Sequence, residues 1–351
     1  MSAALLEAES LGLDCVQVFT KNQQQWKAPP LKAEMVDDWK QHLRRLKWQG
    51  EAAATNLVVS HASYLINLAS PDAGLRAKSL ELMREEYARC VTLGIGQLVF
   101  HPGAFTTSSL AEGMERISAA VAQVLSAWPD AQTVMCFENV AGAGSTIGRK
   151  FEELAEIRKR AIDHGAPAEQ VGFCIDTCHA HAAGYDLAAP GGAERTAEEL
   201  ERTVGLSTVR VLHLNDSKGA AGSRLDRHEH IGRGTIGAAG FAGFLACRAF
   251  AGIPKVMETP KGEDASGVPW DSVNVALLRR LAKGDVPTDL GGVLVVATAK
   301  AVAGAKPTKA GKSAVKTTQP RKPKAKAGKG KAAAKVVAAA KKSKTKKKAR
   351  K

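Results

Sequence analysis

Acidic residues are missing from the end of the chain. Residues 300–351 contain no Asp or Glu, although they hold 20 of the 50 Lys and Arg residues of this 351-residue protein. The preceding 299 residues carry 30 basic and 35 acidic side chains, so the formal net charge of +15 comes from the tail. This distribution indicates two regions with different physical tasks, and it excludes a body that is basic throughout.

Long apolar runs and clustered cysteines are also absent. The longest apolar window, 291–305, is short and is interrupted by Lys300, so a membrane-spanning helix is not expected. Six cysteines are scattered along the chain with no secretory signal ahead of them, which argues for a reduced, cytoplasmic protein without a disulfide framework. With 44% apolar residues, the chain can bury a sizeable core.

Seven short β-rich runs recur along the chain and alternate with helical patterns. An early run ends at Phe19, and the other six end at residues able to bind a metal: His61, His101, Glu138, Asp176, His213 and Glu258. These six ends are separated by 40, 37, 38, 37 and 45 residues. Buried strands that alternate with helices at a near-constant interval predict a parallel α/β barrel of the TIM (β/α)₈ type, with an open doubly wound sheet as the alternative.

The polar strand ends favour the barrel, because the carboxyl ends of barrel strands direct their side chains at one shared site. Carboxylates and imidazoles crowded at one rim would repel one another or remain unpaired unless cations neutralised them. Mixed nitrogen and oxygen ligands suit zinc, with manganese or iron as alternatives. Two further sets can add to this predicted metal site: His179, three residues after Asp176, and the Asp226-x-His228 pair.

Three other residues near Asp176 have the chemistry of metal ligands. Cys174 and Cys178 share the side-chain parity of Asp176, so spacing does not exclude them. No other strand end offers sulfur, and we therefore interpret both as core thiols. His181 is expected at the surface or behind the ligands.

Eight segments match a known family in the same order along the chain. They are FTKNQQQW (19–26), HASYLINLASP (61–71), FHPGA (100–104), FENVAGAGSTIG (137–148), CIDTCHAHAAGYDL (174–187), HLNDSK (213–218), DRHEHIGRGTIG (226–237) and ETP (258–260). Together they resemble the endonuclease IV family, the zinc-dependent AP endonucleases of base-excision repair. The resemblance runs from about residue 3 to about residue 283.

The resemblance implies a TIM barrel that binds three zinc ions, with manganese as an alternative metal. It assigns one zinc to His61, His101 and Glu138. It assigns a second to Glu138, shared as a bridge, with Asp176, His213 and Glu258. The third would be bound by His179, Asp226 and His228. Glu138 and Glu258 are the carboxylates implied to act in catalysis.

The implied reaction is hydrolysis of the phosphodiester on the 5′ side of an abasic site in double-stranded DNA, leaving a 3′-hydroxyl and a 5′-deoxyribose phosphate. The abasic nucleotide must leave the duplex to reach a recessed metal centre. The resemblance assigns DNA contacts to Lys21, Asn22, Gln24, Trp26, Tyr64 and Leu65. Two alternatives are a TIM-barrel sugar isomerase, which has no need of the Asp226-x-His228 pair, and a DNA-compacting protein with an inactive barrel.

The chain departs from the family pattern in two places. Family members often have Arg where this chain has Gln24, which predicts weaker insertion into DNA from that loop. They also begin with a strand and a G-x-H-x-S-like loop, whereas this chain begins with MSAALLEAESLGL. We therefore expect the first barrel strand to be missing, either because the start is assigned too late or because the barrel is incomplete and has exposed strand edges.

Three segments are predicted from these patterns. Residues 1–285 form the barrel domain, 286–299 a linker, and 300–351 a disordered tail, because Lys, Ala and Pro without aromatics cannot bury enough apolar surface to fold. The tail is similar to that of linker histones, and we expect it to bind DNA phosphates without sequence preference. A merely solubilising tail is the alternative. We also expect a monomer in the cytoplasm, associated with the nucleoid.

Overall fold

A computed structural model describes residues 1–48, 57–287 and 290 of the chain. Nine strands are present in these residues: β1 (Val16–Val18), β2 (Val58–His61), β3 (Gln97–Phe100), β4 (Val134–Glu138), β5 (Val171–Asp176), β6 (Val209–His213), β7 (Asp216–Ser217), β8 (His228–Glu229) and β9 (Lys255–Val256). The helices between them are α1 (Ser2–Ser10), α2 (Ala33–Leu46), α3 (Ala73–Leu93), α4 (Leu110–Leu125), α5 (Phe151–Asp163), α6 (Thr177–Ala183), α7 (Gly192–Thr203), α8 (Gly237–Leu245) and α9 (Trp270–Leu281).

Seven of the strands form one parallel sheet in the order β1-β2-β3-β4-β5-β6-β9. Each of the seven predicted β-rich runs supplies one of these strands, and the TIM-barrel prediction is confirmed. Within the described residues, β1 and β9 are the two edge strands, and each pairs with a single neighbour. The barrel is therefore nearly closed, with a gap between β1 and β9. The two remaining strands, β7 and β8, pair antiparallel beside the carboxyl end of β6.

Local sequence signals set the helix boundaries. Asp72 accepts a hydrogen bond from the Leu75 N–H at the start of α3, and Gly94 ends that helix with a φ of 68°, a left-handed conformation that glycine adopts without strain. Helix α4 begins with a capping box, in which the side chains of Ser109 and Glu112 each accept a hydrogen bond from the other's backbone N–H.

Apolar side chains fill both faces of the sheet. The inner face contributes a buried layer made of Val59, Val99, Val134, Cys136, Cys174, Val211 and Val256. On the outer face, Phe100, Phe137 and Phe173 lie side by side on three adjacent strands, with ring centroids 5.0 and 6.4 Å apart. Since alternate residues of a strand point to opposite faces, Phe137 packs outward and the next residue, Glu138, points inward.

The predicted tail, 300–351, lies outside the described residues, and so does the predicted linker 286–299 apart from residues 286, 287 and 290. The predicted segment boundaries therefore remain predictions. Among the helices that the structure describes, none combines the length and apolar character required to cross a lipid bilayer.

Candidate metal centre

The six predicted ligands at the strand ends lie at one rim of the barrel, directly above its inner apolar layer. Each follows an inward-facing residue of that layer by two positions, which returns its side chain to the same face of the strand. The pairs are Val59 and His61, Val99 and His101, Cys136 and Glu138, Cys174 and Asp176, Val211 and His213, and Val256 and Glu258.

Glu138 lies at the centre of this rim and is fully buried. Its Oε2 is 3.1 Å from His61 Nε2 and 3.4 Å from His101 Nε2, while its Oε1 is 3.1 Å from His213 Nδ1 and 3.2 Å from His179 Nδ1. Burial alone would raise the pKa of Glu138, but the surrounding imidazoles, His213 and His101 foremost, hold this pKa well below its usual range. Glu138 is therefore an ionised carboxylate shared by several candidate ligands.

The candidate ligand atoms of each of the three predicted sets lie close together. The ligand atoms of each group lie within 4.8 Å of one another. The groups are His61, His101 and Glu138; Glu138, Asp176, His213 and Glu258; and His179, Asp226 and His228.

Asp176 connects strand β5 to the predicted ligand that follows it, His179. Its Oδ1 accepts a hydrogen bond from the His179 backbone N–H at 2.8 Å and so caps helix α6. Its Oδ2 accepts one from Asn215 Nδ2 at 2.6 Å and lies 3.7 Å from His228 Nε2. The spacing of three residues between Asp176 and His179 thus follows from the first turn of a capped helix.

The loop that carries Asp226 and His228 is fixed at both ends. Its outgoing and returning segments pair as β7 and β8, which places His228 at the rim. The buried carboxylate of Asp216 accepts hydrogen bonds from the backbone N–H groups of Ser217 at 2.7 Å and Ile236 at 3.0 Å. The distances from Asp226 Oδ1 to His179 Nε2 and His228 Nε2 are 3.2 and 3.5 Å.

Four imidazoles each use one ring nitrogen to contact an oxygen acceptor, and this leaves the other nitrogen facing the cluster. Such contacts fix the ring orientation and the tautomer of a metal ligand. The contacts run from His61 Nδ1 to the Ala62 carbonyl (2.7 Å), His179 Nδ1 to the Asn139 carbonyl (2.9 Å), His228 Nδ1 to the Glu258 carbonyl (3.1 Å) and His213 Nε2 to Gln17 Oε1 (2.8 Å).

The electrostatics of the third group fit a cation. His228 Nε2 is buried without a hydrogen-bond partner, and it faces Asp176 and Asp226. Burial alone would lower the pKa of His179, but Asp176, Asp226 and Glu138 outweigh burial and raise this pKa well above its usual value. A hydrogen bond to His179 in turn lowers the pKa of Asp226 to about 2. The site therefore stabilises positive charge, and its nitrogen and oxygen donors suit zinc.

The two cysteines next to Asp176 are both buried. Cys174 belongs to the inner apolar layer, and burial raises its thiol pKa well above the usual value. Burial also raises the pKa of Cys178 to about 12. Distance does not exclude either thiol, since each lies within 4.8 Å of two predicted ligands, but burial disfavours the thiolate. His181 is buried as well, with Nδ1 3.7 Å from Asp186 Oδ1, so of its two expected positions, at the surface or behind the ligands, the first is not met.

Comparison with known proteins places the chain in a family. Residues 5–281 match the family model described as a xylose isomerase-like TIM barrel. The "Probable endonuclease 4" of Chloroflexus aurantiacus is 41% identical over 284 residues, which cover 81% of this chain and 95% of that protein. The protein of the same name from Geobacter sulfurreducens is 41% identical over 273 residues, covering 78% and 88%. The chain belongs to the endonuclease IV family.

Solved structures agree with this assignment. Endonuclease IV from Thermus thermophilus superposes with a TM-score of 0.67 at 30% identity, over 81% of this chain and 94% of that one. A D-tagatose 3-epimerase-like protein superposes with a TM-score of 0.55 at 16% identity, over 86% and 95%, and shares the fold alone. The sequence-based predictions of the endonuclease IV family and of a nuclease are confirmed.

Two rim loops carry the predicted DNA contacts of this endonuclease IV family member. The exposed ring of Tyr64 lies 5.3 Å from the His61 ring and 6.1 Å from the His101 ring, measured between centroids. Asn22 and Gln24 are exposed on the neighbouring loop, whereas Leu65 and Trp26 are partly buried and pack against the core. Tyr64, Asn22 and Gln24 are thus accessible from outside, beside the predicted metal ligands.

Lys21 differs from the other predicted DNA contacts because its side chain points inward. Only 1% of this side chain is exposed, and its ammonium lies 3.8 Å from the Glu86 carboxylate. The ammonium also donates hydrogen bonds to the carbonyls of Asn22, at 3.0 Å, and Gln25. These contacts indicate that Lys21 supports its loop from beneath, so the structure does not favour a direct phosphate contact from it.

Glu86, which the sequence did not single out, holds both rim loops. It lies on the buried face of α3, and its two carboxylate oxygens accept hydrogen bonds from the Ser63 N–H at 3.2 and 3.1 Å. Burial raises the pKa of Glu86 to about 7, because the loss of hydration outweighs the attraction of Lys21 and the bonds from Ser63. The sequence did contain a signal for Glu86: it is an acidic residue on the same helix face as Met83 and Cys90, which are buried.

We expect Glu86→Gln to change how stability depends on pH. The folded-state pKa of about 7 exceeds the ordinary value of 4.5, so the folded protein retains a proton that the unfolded chain loses between these values. Wild-type stability should therefore fall as pH rises through this window, and the glutamine variant should lack this contribution. Urea unfolding should show the variant gaining about 3 kcal/mol on the wild type between pH 4.5 and 8.

The matched control for this experiment is Glu81→Gln, on the exposed face of the same helix. Its stability relative to the wild type should change little over the same pH range. An equal change in both variants would contradict the assignment of the effect to Glu86.

Proposed function

We propose that this chain is an abasic-site endonuclease that hydrolyses the phosphodiester on the 5′ side of the lesion and leaves a 3′-hydroxyl and a 5′-deoxyribose phosphate. The observation that carries the proposal is the meeting of nine predicted ligands in three groups at one rim of the barrel. Membership of the endonuclease IV family agrees with it. The ligand groups and the family membership both concern the barrel, and neither depends on the basic tail.

Zinc is the metal we propose, with one ion for each of the three groups and manganese as an alternative. Imidazole nitrogens and carboxylate oxygens in sets of three or four are the usual ligands of zinc in proteins. When bound, zinc lowers the pKa of water and stabilises negative charge on phosphoryl oxygens. The protein orients the predicted ligands, because four of the imidazoles hold one ring nitrogen against a fixed acceptor and turn the other nitrogen toward the carboxylates of the cluster.

Glu138 and Glu258 are the carboxylates that we assign to catalysis. Glu138 contacts members of all three groups and would hold the metal positions at fixed separations. Burial alone would raise the pKa of Glu258, but His213, His61 and His228 together outweigh burial and keep this pKa below its usual value. Both residues are therefore ionised at neutral pH, and they concentrate negative charge where the cations are needed.

The substrate must come to these residues, because they are recessed. Glu138, Asp176 and His213 are fully buried beneath the rim. A phosphodiester within a stacked duplex could not reach them, so we propose that the abasic nucleotide is flipped out of the helix. The exposed ring of Tyr64 is placed to enter the gap that remains in the stack.

The third ligand group also favours a nuclease over the alternative of a sugar isomerase. Such an isomerase needs one or two metals, whereas Asp226 and His228 form an additional group with His179. The second alternative is a DNA-compacting protein with an inactive barrel. Such a protein has no need of ionised carboxylates gathered among imidazoles at the rim, so these residues favour the nuclease here as well.

A duplex with one tetrahydrofuran abasic analogue tests the activity directly. The zinc-loaded protein should nick the strand 5′ to the analogue and leave a 3′-hydroxyl that a polymerase can extend. Glu258→Gln should still bind this duplex while its single-turnover cleavage rate falls by about 100-fold or more, since it removes one charged ligand. Leu225→Ala is the control. It changes an exposed residue of the loop that carries Asp226 and His228, and it should cleave normally. Isomerisation of a free sugar without nicking would reject the proposal.

The number of metals provides a separate test. Elemental analysis of the purified wild type should give close to three zinc ions per chain. His228→Ala should lose about one, because the remaining groups contain their ligands without it. A wild type that nicks abasic DNA with one metal or fewer would contradict the trinuclear assignment.

We also propose that the tail anchors the enzyme to DNA. Residues 300–351 carry 20 basic and no acidic side chains, whereas the rest of the chain has an acidic excess that DNA would repel. Binding to phosphates without sequence preference would keep the body on DNA during the search for lesions and would associate it with the nucleoid.

Deletion of residues 300–351 should weaken binding to undamaged duplex and make log K less dependent on log salt, because each neutralised phosphate contributes a slope of about −0.9. Single-turnover cleavage at saturating protein should change little, since every predicted ligand precedes the tail. Fluorescence anisotropy at several salt concentrations measures both slopes. Equal slopes for the two forms would reject the anchor and leave a solubilising role.

A further inference from the structure

The gap in the sheet between β1 and β9 is crossed by side chains. At the level of the inner layer, Cys15 Sγ donates a hydrogen bond to the Lys255 carbonyl at 3.2 Å. On the outside, Arg279 of α9 donates to Asp14 at 2.6 Å and to the Gly12 carbonyl at 2.7 Å. At the rim, Gln17 of β1 contacts two of the predicted metal ligands.

Both polar atoms of the Gln17 side-chain amide form hydrogen bonds to predicted metal ligands. Its Nε2 donates to Glu258 Oε1 at 2.6 Å, and its Oε1 accepts from His213 Nε2 at 2.8 Å. Since an amide has one donor end and one acceptor end, this arrangement requires the proton of His213 to be on Nε2. His213 Nδ1 is then the nitrogen that faces Glu138, at 3.1 Å, and Glu258 Oε2, at 3.5 Å.

His213 differs in this respect from the other oriented imidazoles. His61, His179 and His228 are held by backbone carbonyls, which no substitution of the acceptor's side chain removes. The acceptor of His213 is a side chain, and it comes from a strand that supplies none of the predicted ligands. A single substitution can therefore test what this orientation contributes.

We infer that Gln17 is a positioning residue for the metal centre, which orients His213 and Glu258 from across the gap between β1 and β9. The inference rests on the proposed metal-dependent function and adds to it a residue outside the ligand set. Without the amide, His213 could present either nitrogen to the cluster, and Glu258 would lose a donor that fixes its carboxylate. Both changes loosen the group formed by Glu138, Asp176, His213 and Glu258.

The test is zinc affinity, measured by competition with a chromophoric chelator on the full-length chain. Gln17→Met keeps the length of the side chain but removes both hydrogen bonds, and it should weaken one zinc site by roughly 10- to 100-fold. Gln17→Glu keeps an acceptor for His213 Nε2 and should recover part of this loss. The site formed by His179, Asp226 and His228 should retain its affinity in both variants.

Cys15→Ala is the matched control, because Cys15 crosses the same gap without contacting a predicted ligand. The melting temperature of each zinc-free variant separates an effect on folding from one on the ligands: Gln17→Met should melt close to Cys15→Ala and yet bind zinc more weakly. Wild-type affinity in Gln17→Met, or an equal loss in Cys15→Ala, would overturn the inference. A wild type that binds zinc tightly but does not nick abasic DNA would instead overturn the proposed function.

Discussion

The rim depends on one interaction, the burial of the Glu138 carboxylate among imidazoles. An ionised carboxylate without partners would be strongly destabilising at this depth, and four histidine side chains surround it within 3.4 Å. These histidines come from the carboxyl ends of three strands and from the helix that Asp176 caps, so only a curved sheet can bring all four to one carboxylate. The fold and the charge balance of the site therefore depend on each other. Bound cations would neutralise the buried carboxylates more fully than protons on the histidines do.

Most of the barrel and its polar rim could be predicted from the sequence, because short-range patterns of residues determine them. A strand has a period of two, so an apolar residue at Val99 or Val211 determines that His101 or His213 points to the same face. A near-constant spacing of strand ends then indicates a repeated βα unit, and parallel strands in a barrel bring their ends together. The family resemblance added the division of the predicted ligands into three groups, each of which is compact in the structure, although distance alone would also admit two groups that include Cys174 or Cys178.

The residues that the sequence did not reveal act between elements that are distant in the chain. Glu86 matters because α3 passes beneath two loops, and Lys21, taken from the resemblance as a DNA contact, turns toward that carboxylate. Gln17 matters because β1 lies across a gap from Glu258, which is 241 residues away. No local pattern encodes such neighbours. In each case a polar residue of ordinary type acquires its role from burial and from a partner that only the tertiary fold supplies.

The same geometry explains how a nearly closed barrel can support a precise metal site. Strands β2 to β6 pair in parallel, each with the next, with one shift of register in β5 between Phe173 and Cys174, and they carry His61, Glu138, Asp176 and His213. The gap lies on the opposite side of the barrel, where Glu258 follows the short strand β9, whose pairing to β6 spans two residues. Among the six predicted ligands at strand ends, Glu258 thus has the least support from the sheet. The hydrogen bond from Gln17 to the Glu258 carboxylate supplies here part of the restraint that strand pairing gives to the other five.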